Sequence, residues 1–391
     1  MPLASHPALA RALEEALAGG PIPFRRYMEL ALHHPEGGYY AQPRPRIGAG
    51  GDFLTSPHQS PWFGRMAARQ LQAIWEALGR PAVFPVLEYG AGEGWLAHDI
   101  LAHASEGPVD GGFRAALEYV PIERSPAARG RLGERLAPWA AGRPGGPCAR
   151  LHEWPPGQWA FEGAVLAHEF LDALPVHLLL RAEEGLKELH TERRGEGLAL
   201  VEGPLSDPRL EGHFARLGIE LAPGQRAEAC PEAGEWVRAV AAKLKRGAIL
   251  VWDYGYSARV LYGGERREGT LRGYRGHTLE PNVLARPGET DLTAHVDFTS
   301  LLRAAEGAGL RLGGFTDQMH FLLGLGLAEA LGEASGPGAQ RERRAVMGLL
   351  DPGGLGSAIK VMLLAKGLGD APFPAFSLKP EDRESHATLR G

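Results

Sequence analysis

Cysteine is almost absent from this chain. Of 391 residues only Cys148 and Cys230 are cysteines. No Cys-x-x-Cys spacing occurs, which excludes a disulfide framework and argues against a cysteine zinc site. No apolar run approaches the roughly 20 residues that a membrane-spanning helix needs, so stable membrane insertion is not expected. Residues 1–20 lack the basic start and continuous apolar core of a signal peptide. From these two absences the expectation is a cytoplasmic protein. Lysine is scarce, and arginines cluster no further than pairs such as Arg25-Arg26 and Arg343-Arg344. With a net charge of −5, nucleic acid is not an expected partner, because phosphate binding needs concentrated basic charge. His33 and His34 are adjacent, and no His-x-x-x-His pair is coupled to a third ligand, so no metal is expected.

What the chain has is a globular balance, 44% hydrophobic and 23% charged, with 54 glycines. Its length allows one large α/β domain with insertions, or two domains. Apolar periodicity predicts helix over 7–35 and again over 58–78, where Thr55 or Ser56 can cap. Strands then alternate with helices. The strands fall at 83–88, 116–123, 150–154, 163–168, 248–253, 310–316 and 359–366, with helices at 95–105 and 126–136. Short buried strands in such alternation imply a mostly parallel seven-stranded sheet with helices on both faces. Between the fourth and fifth strands, 177–201 alternates like a meander, and 207–217 and 231–245 read as helices. A second insert covers 254–296.

The first strand runs directly into Glu88-Tyr89-Gly90-Ala91-Gly92-Glu93-Gly94. Alternate glycines let a backbone turn sharply and approach a ligand without a Cβ clash. In open α/β sheets ligands lie beyond the carboxyl ends of the strands. A dinucleotide fingerprint would be Gly-x-Gly-x-x-Gly with an acid about 20 residues on. Here the glycines are tighter, and the next strand ends in Glu123, where a carboxylate can accept both ribose hydroxyls of a nucleoside. A turn that only packs helix on strand would share the glycine spacing, and Glu123 alone could be a solvated carboxylate. The two together point to an S-adenosylmethionine site formed by Glu88, Gly90, Ala91, Gly92, Gly94 and Glu123. A closing pair of strands at 310–316 and 359–366 resembles the reversed hairpin of class I methyltransferases.

Several segments together resemble the MidA-like family, the arginine methyltransferases that assist assembly of respiratory complex I. They are Phe24-Arg25-Arg26-Tyr27-Met28, Gly37-Gly38-Tyr39-Tyr40, the stretch from Gly51 to Pro57, the glycine loop, and Glu123-Arg124-Ser125-Pro126. Further on come His168-Glu169-Phe170-Leu171-Asp172-Ala173-Leu174-Pro175 and the stretch from Asp291 to Phe298. His58 and His168 depart from the family, which usually carries Glu and Asn there. The resemblance implies a class I methyltransferase Rossmann-like seven-stranded α/β sheet, with an N-terminal helical segment and an inserted substrate-side subdomain. Residues 1–80 would be the helical segment with a cofactor-covering loop. Residues 81–366 would be the methyltransferase domain, with inserts at about 177–245 and 254–296, and 367–391 a mobile tail. The inserts would cover a substrate or join two copies of the chain. Thr55, Ser56, Arg124 and His168 would join the cofactor site, and the partner would be a protein, such as a complex I subunit.

Methyl transfer from a sulfonium is an in-line displacement, so the enzyme mostly aligns donor and nucleophile and excludes water. An arginine acceptor is a planar cation and calls for carboxylates. Glu169 and Asp172, three apart after the fourth strand, can share one side of a helical turn. Glu169 is the expected partner of the guanidinium; Asp172 either shares that role or buttresses the turn. Asp253, His277 and His295 are the expected lining of the acceptor side. A methyltransferase for another acceptor, and a non-catalytic assembly protein on the same fold, are the alternatives.

Overall fold

The continuous apolar runs line up side by side. The computed structural model describes residues 3–43, 55–142, 144–150, 160–333, 339–378 and 389. The central sheet is built from β1 (Phe84–Tyr89), β2 (Leu117–Ile122), β3 (Cys148–Ala149), β4 (Phe161–His168), β5 (Leu244–Tyr256), β6 (Arg311–Asp317) and β7 (Ile359–Lys366). Their spatial order is β6-β7-β5-β4-β1-β2-β3. β7 runs antiparallel to both β5 and β6, while β5, β4, β1, β2 and β3 pair in parallel.

Both faces of this sheet are covered, which explains why its central strands carry continuous apolar runs such as Ala164–Ala167 and Ala248–Trp252. In β5, Ala248, Leu250 and Trp252 enter a core with helices Trp62–Ala77 and Trp95–Glu106. Ile249 and Val251 point the other way, into a core with helices Pro231–Lys243 and Phe298–Gly307. Trp252 is wholly buried, with Phe63 and Phe321 edge-on to its ring.

The register aligns the carboxyl ends of the neighbouring strands. Tyr89 pairs with Ile122 on one side and Ala167 on the other, and His168 pairs with Trp252. The chain leaves β1 towards β2 and returns to β4 on the opposite side, so the point where the strand order reverses lies between β1 and β4.

The meander expected at 177–201 is present as strands His177–Ala182, Gly185–Arg194 and Gly197–Gly203. With Arg226–Ala229 and, from the N-terminal region, Ile22–Pro23, they make a second, antiparallel sheet. Helices Pro7–Leu17 and Phe24–His33 bury their apolar faces against it. The single helix read over 7–35 is therefore two, broken at Gly19-Gly20 and Pro21 so that Ile22 can join a strand. The helix read over 58–78 is also two, Ser56–Gln59 and Trp62–Ala77, interrupted at Pro61. The stretch read as helix over 207–217 holds only two short turns, Pro208–Leu210 and His213–Arg216. The third strand lies at Cys148–Ala149, just before the predicted 150–154, whose residues from 151 on are outside the described ones. Leu368, Phe373 and Ala375, read as part of a tail, are buried in the first core. No helix among the described residues is long and apolar enough to cross a membrane.

Candidate active site

A cleft of about 690 Å³ opens over the aligned strand ends. Its floor is the glycine loop. Gly90 and Gly92 have φ of 70° and 54°, the left-handed region that glycine enters without strain. A Cβ on Gly90 would come within 2.9 Å of Phe170, whereas beside Gly92 the nearest atom is 4.0 Å away. The loop thus packs on one side and leaves open space on the other. The Gly92 N–H donates to Glu123 Oε2 at 2.8 Å, and the Ser125 N–H donates to Oε1 at 2.7 Å. These bonds aim the Glu123 carboxylate along the loop. Glu88 sits deeper: Tyr119 Oη–H donates to it at 2.9 Å, and burial pushes its carboxyl up to about 8.

The opposite half of the cleft begins where β4 ends. Glu169 has φ of 46°, unusual for a residue with a side chain and worth roughly 1–3 kcal/mol of strain. Its N–H donates to Trp252 O at 2.8 Å, which ties the strained residue to β5. The Ser56 backbone, facing Glu169, favours the ionised form of its carboxyl. Burial, with Asp172 and Asp291 nearby, holds the Glu169 carboxyl well above the usual carboxylate range. Burial, Asp253 and Asp291 do the same for Asp172. Asp291 itself is buried and accepts from Tyr40 Oη–H at 2.9 Å. Tyr40 stacks on His33, whose Nε2 lies 3.2 Å from Ala173 O. Tyr254, Tyr274 and Phe170 complete an aromatic wall round these carboxyls.

The sequence of residues 66–316 matches the family model of S-adenosyl-L-methionine-dependent methyltransferases. The chain belongs to this family. The mitochondrial protein arginine methyltransferase NDUFAF7 of Mus musculus is 30% identical over 86% of the chain and 79% of its own length. The corresponding protein of Danio rerio is 32% identical over 80% of the chain and 74% of its own. A Burkholderia thailandensis protein solved with S-adenosyl-homocysteine bound superposes with a TM-score of 0.82 at 32% identity, covering 97% of the chain and 96% of its own.

The methyltransferase fold expected from the strand pattern is therefore the fold observed, and the cofactor is S-adenosylmethionine. Open space beside Gly92, with the Glu123 carboxylate held at the end of β2, suits a nucleoside laid across β1. The expectation of a cytoplasmic protein is corrected: both curated relatives are mitochondrial by name.

Of the residues singled out from sequence, Thr55, Glu88, Gly90, Ala91, Gly92, Glu123, Arg124, His168, Glu169, Asp172 and His295 line the cleft. Four do not. Ser56 is wholly buried, and its hydroxyl donates to Gln318 at 2.7 Å, so only its backbone serves the cleft. Gly94 caps the helix Trp95–Glu106 against Leu132. Asp253 lies beneath the cleft, its Oδ2 accepting the N–H groups of Phe170, Leu171 and Asp172. His277 is exposed at the tip of the hairpin formed by Arg272–Arg275 and Thr278–Glu280. Thr55 does not cap its helix; its hydroxyl pairs with His58 Nδ1 at 2.8 Å.

Asp291, Tyr40, His33, Trp95 and Tyr254 line the cleft without having been singled out. Tyr40, Asp291 and, within Asp253-Tyr254-Gly255, Tyr254 lie in segments that resemble the family, and that was the available signal. The other two follow only from the packing.

Proposed function

We propose that this methyltransferase transfers its methyl group to the guanidinium of an arginine in a protein, such as a respiratory complex I subunit. The observation that carries the reading is the group of buried carboxyls, Glu169, Asp172 and Asp291, inside a wall of Tyr40, Tyr254, Tyr274 and Phe170. Burial, with the neighbouring acids, holds Glu169 and Asp172 above their usual range, so an entering cation favours their ionised forms, and flat aromatic faces suit a planar one. Two relatives named as protein arginine methyltransferases support the same reading.

When bound, S-adenosylmethionine supplies an electrophilic methyl on a sulfonium. Glu123 would hold the ribose hydroxyls, and the loop from Gly90 to Gly92 would let the nucleoside lie close to the backbone. Glu169 and Asp172 would orient the guanidinium, and one of them would take the proton that the nitrogen loses as it is methylated. The strained backbone at Glu169, fixed to Trp252 O, keeps that carboxyl in place without reorganisation at the moment of reaction.

Incubating the protein with methyl-labelled S-adenosylmethionine and purified complex I subunits, followed by peptide mass spectrometry, tests this. Label on an arginine side chain is expected. Label confined to other residues, or to small molecules, overturns the arginine reading and leaves the methyltransferase assignment intact.

A further inference from the structure

Four buried ring nitrogens of cleft-lining residues lack any hydrogen-bond partner: His295 Nδ1, on the far side beside Tyr254 and Tyr256, and Trp95 Nε1, His58 Nε2 and His168 Nε2. The His58 and Trp95 rings are 4.9 Å apart, at the start of the helix that follows the glycine loop. His168 is 8% exposed at the end of β4, its ring edge-on to Phe63 at 5.0 Å. Buried polar atoms are almost always paired, so the last three of these orphans mark a place where a polar ligand supplies the partners.

The sheet order says which part of the cofactor lies there. Glu123 ends β2 on one side of β1, and His168 ends β4 on the other. A cofactor whose ribose meets Glu123 and which crosses the glycine loop brings its far end, an α-amino-acid zwitterion, to the three nitrogens. We propose that Trp95 Nε1–H and His58 Nε2–H grip the cofactor's α-carboxylate, and that His168 Nε2 accepts from its α-ammonium.

The donor and acceptor roles are consistent with the surrounding bonds. An indole nitrogen is a donor only. Both imidazoles are kept neutral by burial, at about 4 for His58 and about 3 for His168. Neutral and without a partner at Nε2, the His168 ring can present a lone pair there. The Thr55 hydroxyl lies 2.8 Å from His58 Nδ1, and with the hydroxyl as donor the ring proton sits on Nε2, as the proposal requires. Glu169 Oε1, 3.5 Å from His168 Nε2, stands at the boundary and remains for the methyl acceptor.

Calorimetry with two ligands tests this directly. S-adenosyl-homocysteine carries the zwitterion; 5′-methylthioadenosine has the same adenosine and no amino acid. Trp95→Phe, His58→Phe and His168→Phe are each expected to weaken S-adenosyl-homocysteine roughly ten-fold or more, as for loss of a hydrogen bond to a charged group. Their affinity for 5′-methylthioadenosine should stay within about two-fold, which also reports an intact fold. Unchanged S-adenosyl-homocysteine affinity, or equal losses for both ligands, would overturn the assignment.

Discussion

Asp253 Oδ2 accepts the Leu171 backbone N–H at 2.8 Å, and the same oxygen takes the N–H groups of Phe170 and Asp172 at 3.1 and 3.3 Å. A residue of β5 thus builds the turn on which Glu169 and Asp172 stand. Asp253→Ala leaves these three donors, and the Tyr254 N–H that bonds Oδ1, without an acceptor. The expected cost is about 2–3 kcal/mol of stability, from the usual penalty for unsatisfied buried groups. Turnover should fall further than cofactor affinity, because the displaced carboxyls belong to the acceptor side. Asp253→Asn keeps an acceptor oxygen and should lose less. Urea midpoints, calorimetry with S-adenosyl-homocysteine and initial rates on the two variants give the comparison. Equal loss of cofactor binding and turnover would count against a local role.

Glu88 predicts a pH dependence of stability. Burial raises its carboxyl from 4.5 to about 8, against the opposing bond from Tyr119. Between those values the folded chain keeps a proton that the unfolded chain has released. Its contribution is therefore fully present below about 4.5, is lost as pH rises through about 8, and then levels off. Asp253, raised to about 7, acts with the same sign, so the variant must be compared with the parent. Glu88→Gln should flatten part of the fall between pH 5 and 8 in denaturant midpoints. An identical slope in both proteins would remove Glu88 from the account.

The fold was legible wherever apolar runs are continuous. β1, β4 and β7 are buried on both faces, so their sequences show no alternation and stand out from the helices between them. What escaped was pairing over distance. Nothing local to Ile22-Pro23 says that it joins Thr191 and His190, because two residues carry no period. Asp253 and Glu169 show the same limit at the site. Both read from sequence as strand-end acids, and only the register of β4 on β5 decides that Asp253, inside β5, supports the turn from beneath while Glu169 faces the cleft. His277 was misread for a related reason. A hairpin tip with φ of 59° points into solvent whatever its chemistry.

Glu123→Ala should weaken S-adenosyl-homocysteine about ten-fold to a hundred-fold, the range for hydrogen bonds to a charged group. The same change removes the acceptor for the Gly92 and Ser125 N–H groups, so the loop also loosens. Glu123→Gln separates the two effects, since its amide oxygen can still take one of those donors. The glutamine variant is expected to bind more tightly than the alanine variant and more weakly than the parent. If alanine and parent bind alike by calorimetry, Glu123 does not meet the ribose.

The carboxyls of the acceptor half make the arginine reading testable by pH alone. Burial, Asp172 and Asp291 raise Glu169, while burial, Asp253 and Asp291 raise Asp172, so in the free cleft these groups tend to hold protons. A guanidinium entering among them favours their ionised forms, and a proton must leave as it binds. Acceptor affinity should therefore climb with pH from the ordinary carboxylate range upward, and flatten once the free cleft is already ionised. Calorimetry of an arginine peptide in buffers of different ionisation enthalpy should show proton release. Glu169→Gln should bind the peptide more weakly and with a shallower pH slope, while leaving S-adenosyl-homocysteine affinity within about three-fold, because that side chain faces the acceptor. A neutral acceptor would need no such release. A flat affinity profile in the parent protein would therefore weigh against a guanidinium as the group that receives the methyl.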